Sequence, residues 1–121
     1  MYDINIQAVS ELLSLEFYRF KRYRIPITLV LVETEDRSFY EVVESKVRKT
    51  DIFQQIDKNL YAIIYSHTDA VGSSMAVDNI LETLKTEDNH RKIVIEEALS
   101  DDLDERDVVL RSFNALLHFE G

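Results

Sequence analysis

The chain has 121 residues, 45% of them apolar and 31% charged, with two glycines and one proline, which is the length and core material of one domain spanning residues 1–121. The absence of cysteine excludes disulfide frameworks, thiolate metal sites and cysteine nucleophiles. A net charge of −9 opposes generic nucleic-acid binding, because phosphate contacts supply most of that affinity.

Met1-Tyr2-Asp3-Ile4-Asn5 lacks the basic and apolar regions of a signal peptide, and no apolar run approaches the ~20 residues needed to span a bilayer. A cytoplasmic chain without membrane insertion is expected. From Ile6 to about Tyr23, the residues Ile6, Val9, Leu13, Phe17 and Phe20 recur at helical spacing, and Pro26 follows the helix. Ile27 to Val32 is almost continuously apolar and β-branched, the pattern of a central strand covered on both faces. Ser38 and Glu41 suggest a capping box for a second helix reaching about Lys49, with Phe39, Val42, Val43 and Val47 inward.

A short strand from Ile52 to Ile56 and an apolar one from Leu60 to Tyr65 flank Asp57-Lys58-Asn59, which reads as a β-hairpin in which Asn59 takes positive φ. Thr68 is the expected N-cap of a third helix with Val71, Met75, Ile80, Leu81 and Leu84 inward. Residues 85–91 read as polar loop, and Lys92 to Leu99 as a strand whose Glu96 and Glu97 suit a sheet edge. The acidic segment Asp101 to Glu105 opens a last helix with Val109, Phe113, Leu116 and Leu117 inward.

This order defines an α/β (α+β) chain with a ferredoxin-like βαββαβ core, antiparallel sheet order 4-1-3-2, and additional N-terminal and C-terminal helices. That order puts the two continuously apolar strands in the centre and the two more polar ones at the edges. Cations gather at two helix ends, Arg19, Lys21, Arg22 and Arg24 at the first and Lys46, Arg48 and Lys49 at the second. The macrodipole favours them there, and they could also hold a small phosphate ligand.

Several stretches resemble the GGDEF (diguanylate cyclase) domain of bacterial signalling proteins. Leu15 to Pro26 looks like the helix and proline before that family's first strand, and Glu33 stands where the family usually has an aspartate metal ligand. Arg48-Lys49-Thr50-Asp51 runs without a gap into Ile52 to Ile56 and then Asp57-Lys58-Asn59-Leu60-Tyr61, which occupy the signature itself. Asn114-Ala115-Leu116-Leu117 continues the resemblance at the end of the chain.

The resemblance implies chemistry that these residues do not support. In such cyclases Mg²⁺ is held by the first-strand acid and by the signature acid, whose position here is Leu60, an apolar side chain. The signature glycines, which let nucleotide approach the hairpin, correspond to Asp57 and Lys58. The segment between Glu33 and Arg48 is also shorter than usual for the family. The expectation is therefore a non-enzymatic, degenerate GGDEF-like module without cofactor, acting in protein interaction, dimerisation or signalling.

Arg48 and Asp51 match the family's RxxD site for cyclic di-GMP, which makes a receptor the alternative reading. Arginine can grip phosphate or a guanine edge, and the carboxylate can accept from guanine N–H groups. The competing reading is an inherited helix end, with Asp51 hydrogen-bonded to local backbone. Asn79 stands where some members carry a second ligand-binding arginine. Residual cyclase or phosphate-ester hydrolysis through Glu33 is the third reading. Glu35 and Asp36 read either as a weak cation site or as a loop and helix cap. His67, His90 and His118 have no ligand spacing and read as surface residues, and Ser73-Ser74 lacks a catalytic context. Tyr18, Tyr23, Tyr40, Phe17 and Phe20 offer either core packing or an aromatic face for a partner.

Overall fold

A computed structural model describes residues 3–84 and 90–119. The elements are α1 (Asp3–Tyr23), β1 (Ile27–Glu33), α2 (Phe39–Lys46), β2 (Ile52–Asp57), β3 (Leu60–Ser66), α3 (Ala70–Thr83), β4 (Lys92–Glu97) and α4 (Glu105–Leu117). Residues 85–89 of the expected polar loop lie outside the described residues. All paired strands are antiparallel in a sheet ordered β2-β3-β1-β4, so the expected order is met.

The continuous apolar runs of β1 and β3 are buried because helices cover both faces of the sheet. On one face Ile27, Leu29, Leu31, Leu60, Ala62 and Ile64 pack with the inner sides of α1 and α4. On the other, Val30, Val32, Tyr61, Ile63 and Tyr65 meet Phe39 and Val43 of α2 and Val77 and Ile80 of α3. Strand alternation divides each run between these two cores, and each large side chain fully removed from water contributes roughly 1.5–3 kcal/mol.

Several local expectations are corrected. The capping box is absent: the Ser38 side chain makes no cap bond, and its N–H and hydroxyl both donate to Asp36 Oδ1 at 2.9 and 2.6 Å. Asp36 thus turns the chain into α2, as the loop-and-cap reading of that residue requires. The helix stops at Lys46 rather than Lys49, with Val47 extended, because the Arg48 N–H is taken by Asp51 Oδ2 at 2.9 Å. Arg48 and Lys49 therefore lie beyond the helix, in the turn leading to β2.

Asp69, not Thr68, caps α3 by accepting from the Gly72 N–H at 2.8 Å. The inner stripe is Ser73, Val77 and Ile80, while Val71 and Met75 point to solvent, 71% and 68% exposed. Periodicity alone does not rank the faces of this helix, and of the expected stripe Ile80 is buried while Leu81 and Leu84 pack partly buried against the same core. Leu117 is likewise exposed, Val108 taking the buried position beside Val109 in α4. The fourth strand ends at Glu97: the Ala98 N–H still bonds to Ile27 O at 3.0 Å, but the Leu99 N–H is taken by Asp102 Oδ2 at 2.7 Å and the Asp102 N–H returns to Leu99 O at 2.9 Å, which turns the chain.

The acidic run before α4 is only partly solvated. Asp104 caps the helix, while the buried Asp102 receives Arg111 Nη1 at 2.8 Å, Arg111 Nη2 at 3.1 Å and the Leu99 N–H at 2.7 Å. Burial alone would raise the Asp102 pKa, but the guanidinium and the backbone donor outweigh it and hold the carboxyl below its ordinary range. The same pair raises Arg111.

Candidate functional site

The hairpin that joins β2 to β3 turns at Lys58–Asn59 without glycine, and Asn59 does not adopt positive φ. A bulge between Gln55 and Asp57 re-aims the strand, and Gln55 Nε2 donates to Asp57 O at 3.2 Å and Lys58 O at 2.9 Å. The Asp57 carboxylate accepts from the Lys58 N–H at 2.8 Å and from Asn5 Nδ2 at 3.3 Å, which together keep its pKa below the ordinary value. Side-chain hydrogen bonds hold this glycine-free turn.

Strand register sets the surroundings of Glu33. On β3 its partner is Leu60, and on β4 it is Lys92, whose Nζ lies 3.6 Å from Glu33 Oε1. Leu60 is buried in the α1 and α4 core. Mg²⁺ is held through one or two carboxylates together with phosphates and waters, and here the Glu33 carboxylate is flanked by an ammonium that competes for it and by an isobutyl group that offers no oxygen. The donor set does not fit Mg²⁺. Among the described residues no group of three or more His, Asp or Glu side chains is arranged to hold a metal.

Beside the hairpin a cleft of about 540 Å³ is lined by Glu35, Arg37, Tyr40, Gln55, Lys58 and Tyr61. Lys58 stands in its wall. The inner side of the region is filled by Phe39, Phe53 and Tyr61, with ring centroids 4.9 Å apart for Phe39 and Tyr61 and 6.1 Å for the stacked Phe53 and Tyr61. The short segment between β1 and α2 brings Phe39 onto the sheet. Asp36 is drawn inward rather than into solvent, with Oδ2 3.6 Å from Arg91 Nη2.

At the opposite end of the sheet Arg48 and Asp51 meet. Arg48 Nε donates to Asp51 Oδ2 at 3.0 Å and Nη2 to Asp51 Oδ1 at 2.9 Å, while Nη2 also reaches Ser66 O at 2.7 Å and Thr68 Oγ1 at 2.8 Å. The Ser66 N–H donates to Asp51 Oδ1 at 3.2 Å. The Asp51 side chain is 1% exposed and that of Arg48 is 53% exposed. Asp51 is thus committed inside the fold, where its hydrogen bonds raise the Arg48 pKa, and one edge of the guanidinium stays open to solvent. Behind the pair, burial foremost and then the Asp51 charge push the Tyr65 phenol up to about 12.

Sequence reasoning brought Arg48 and Asp51 together but missed Ser66, Thr68 and Lys92, whose roles depend on strand register. It also missed two left-handed residues. Arg24 has φ 58° and His67 has φ 54°, each a conformation costing a non-glycine residue about 1–2 kcal/mol. The remaining candidates separate: His67, His90 and His118 are exposed and in different segments, Asn79 is exposed on α3, and Ser73 is fully buried. Phe17 packs in the core, whereas Tyr18 and Tyr23 are exposed. Arg19 pairs with Glu16 at 3.1 Å, Lys21 Nζ donates to Ser100 O and Asp102 O, and Arg22 lies over the Tyr23 ring.

The four-strand antiparallel sheet in this order, with helices on both faces, has a GGDEF-like fold. Among solved structures the chain superposes on the active GGEEF domain of a diguanylate cyclase from Vibrio cholerae with a TM-score of 0.77 at 12% identity, covering 93% of this chain and 87% of that one. The GGDEF domain of DgcB from Caulobacter crescentus, in complex with c-di-GMP, matches with a TM-score of 0.76 at 14% identity over 93% and 82% of the two chains. The FimX GGDEF domain from Pseudomonas aeruginosa matches with a TM-score of 0.77 at 10% identity over 93% and 85%. No protein-family model and no curated protein matches the chain. Among the described residues no helix is long and apolar enough to cross a membrane.

Proposed function

We propose that residues 1–121 form one non-catalytic, degenerate GGDEF-like domain that acts through protein interaction or dimerisation in signalling. The observation that carries this reading is the register around Glu33, whose two cross-strand partners are Leu60 and Lys92. An enzyme of this fold would need a second carboxylate to share a cation with Glu33, and the position that should supply it is a core leucine. Exposed apolar side chains on α1, among them Ile4, Leu15 and Tyr18, support an interaction role, as does the outer edge of β2. Incubation with GTP and Mg²⁺ followed by chromatography should leave the nucleotide unchanged, whereas a cyclic dinucleotide product would overturn the reading. A strictly monomeric chain that binds no other protein would count against the interaction role.

A second reading is favoured by Arg48. Its guanidinium is held by Asp51, Ser66 O and Thr68 Oγ1 while one edge stays exposed, which suits a receptor for cyclic di-GMP, the ligand present in the DgcB complex. In this reading Arg48 contacts the ligand and Asp51 positions Arg48. Calorimetric titration should show saturable binding that Arg48→Ala abolishes, and no heat with the parent chain would reject it.

A further inference from the structure

Strand order lines up the loops at the Arg48 end of the sheet. β2 begins there, β3 ends there and β1 begins there, so the loops at residues 47–51, 67–69 and 24–26 follow one another across three adjacent strands. Hydrogen bonds fasten the row together: Arg48 Nη2 to Thr68 Oγ1 at 2.8 Å, the Thr68 N–H to Pro26 O at 3.1 Å, and Thr28 Oγ1 to Thr68 O at 2.8 Å. In a chain of net charge −9, this row exposes Arg48, Lys49, His67 and Arg24.

Carboxylates in and around the row are already engaged. Asp51 holds Arg48, Asp69 caps α3, Glu97 Oε1 accepts from the Ala70 N–H at 2.8 Å, and Asp102 holds Arg111. Arg48 is held by Asp51 and still leaves half of its side chain exposed, and Arg24, Lys49 and His67 are exposed beside it. Both non-glycine residues with positive φ among the described residues, Arg24 and His67, sit in this row, in neighbouring loops. Backbone strain of this kind collects where a side chain must be aimed in a particular direction. Arg24 also lines a cleft of about 400 Å³ with Phe20, Ala98 and Leu99, which offers apolar surface to a flat group beside the cationic row.

We infer that Arg24 and His67 are further ligand-binding residues, which together with Arg48 receive the phosphates of one phosphodiester ligand at this end of the sheet. The inference rests on the receptor reading above and extends it across β1, to residues outside the RxxD spacing. Arg48 takes one phosphate through its open edge. His67 donates from its imidazole N–H beside it, and Arg24 binds the far side of the ligand at the mouth of the Phe20 cleft.

The test is calorimetry of the full chain with cyclic di-GMP, run on the parent and on Arg48→Ala, Arg24→Gly and His67→Gly, with thermal melts of each. Glycine is chosen because it removes the side chain and suits positive φ. Arg24→Gly and His67→Gly should each weaken binding about tenfold, the loss expected for one charge-assisted contact, while raising the melting temperature. Binding lost in Arg48→Ala but unchanged in both glycine variants overturns the inference and leaves the receptor reading standing. No binding by the parent overturns both. Weakened binding in variants that are more stable supports the inference, because a merely structural role would shift stability without lowering affinity.

Discussion

Arg48 grips Asp51 through two parallel hydrogen bonds, and through the same Nη2 it fastens the turn before β2 to the end of β3. The pair is asymmetric: the carboxylate is buried and accepts from the N–H groups of both Arg48 and Ser66, whereas half of the guanidinium side chain is exposed. Stability and ligand binding should therefore separate between the two residues.

Asp51→Ala should destabilise the chain by about 3 kcal/mol, because it removes the carboxylate that accepts from the Arg48 N–H and guanidinium and from the Ser66 N–H. Arg48→Ala should cost only about 1–2 kcal/mol, since Asp51 keeps its two backbone donors. Urea unfolding of the two variants checks the order. A larger loss for Arg48→Ala would mean that the arginine, and not the aspartate, anchors the turn.

Asp102 gives the fold an acid-sensitive link. Its carboxyl is held below the ordinary value against the cost of burial by Arg111 and the Leu99 N–H, so the folded state binds its proton less readily than the unfolded chain. The contribution is complete above the unfolded value of about 4 and disappears as pH falls through the lower folded value. Asp102→Asn should lower stability at neutral pH and flatten the decline below about pH 4, as read from melting temperatures across that range. An unchanged acid slope would remove Asp102 from the explanation.

Tyr65 acts at the other extreme. With its phenol pushed up to about 12 from an ordinary value of about 10, the folded state keeps a proton that the unfolded chain releases. Its contribution is intact below about pH 10 and is lost as pH rises toward 12. Ultraviolet titration of the six tyrosines should show a late component, and Tyr65→Phe should remove that component alone.

Leu60→Glu restores a signature acid on paper but should restore no chemistry. The new carboxylate would enter the apolar core between α1 and α4, beside a Glu33 already paired with Lys92. A stability loss of roughly 3 kcal/mol or more is expected from the buried charge and lost packing, with GTP still unconsumed in the presence of Mg²⁺. Cyclic dinucleotide formation by this variant would show that one residue separates the chain from catalysis.

Much of the candidate site was legible in the chain. The spacing of Arg48 and Asp51 and the apolar residue at 60 are local features, and an apolar side chain cannot ligate a cation in any fold. The strand assignments were legible for a similar reason: β1 and β3 are apolar on both alternations, which only a sheet covered on two sides can bury. The cap of α3 was not legible, because Thr68 and Asp69 are both good caps and the choice depends on where Arg48 and Ser66 draw the Thr68 hydroxyl.

By itself, then, the sequence determined the order and type of the elements, the central place of the two apolar strands and the apolar side chain at position 60. Only the tertiary structure decided that Lys92 would face Glu33, that Asp51 would turn inward while Arg48 kept an open edge, and that Arg24 and His67 would stand in neighbouring loops at one end of the sheet. Periodicity and composition act over a few residues along the chain. Register, burial and the pairing of charges are set between segments far apart in sequence, where the partner exists only after the sheet has formed.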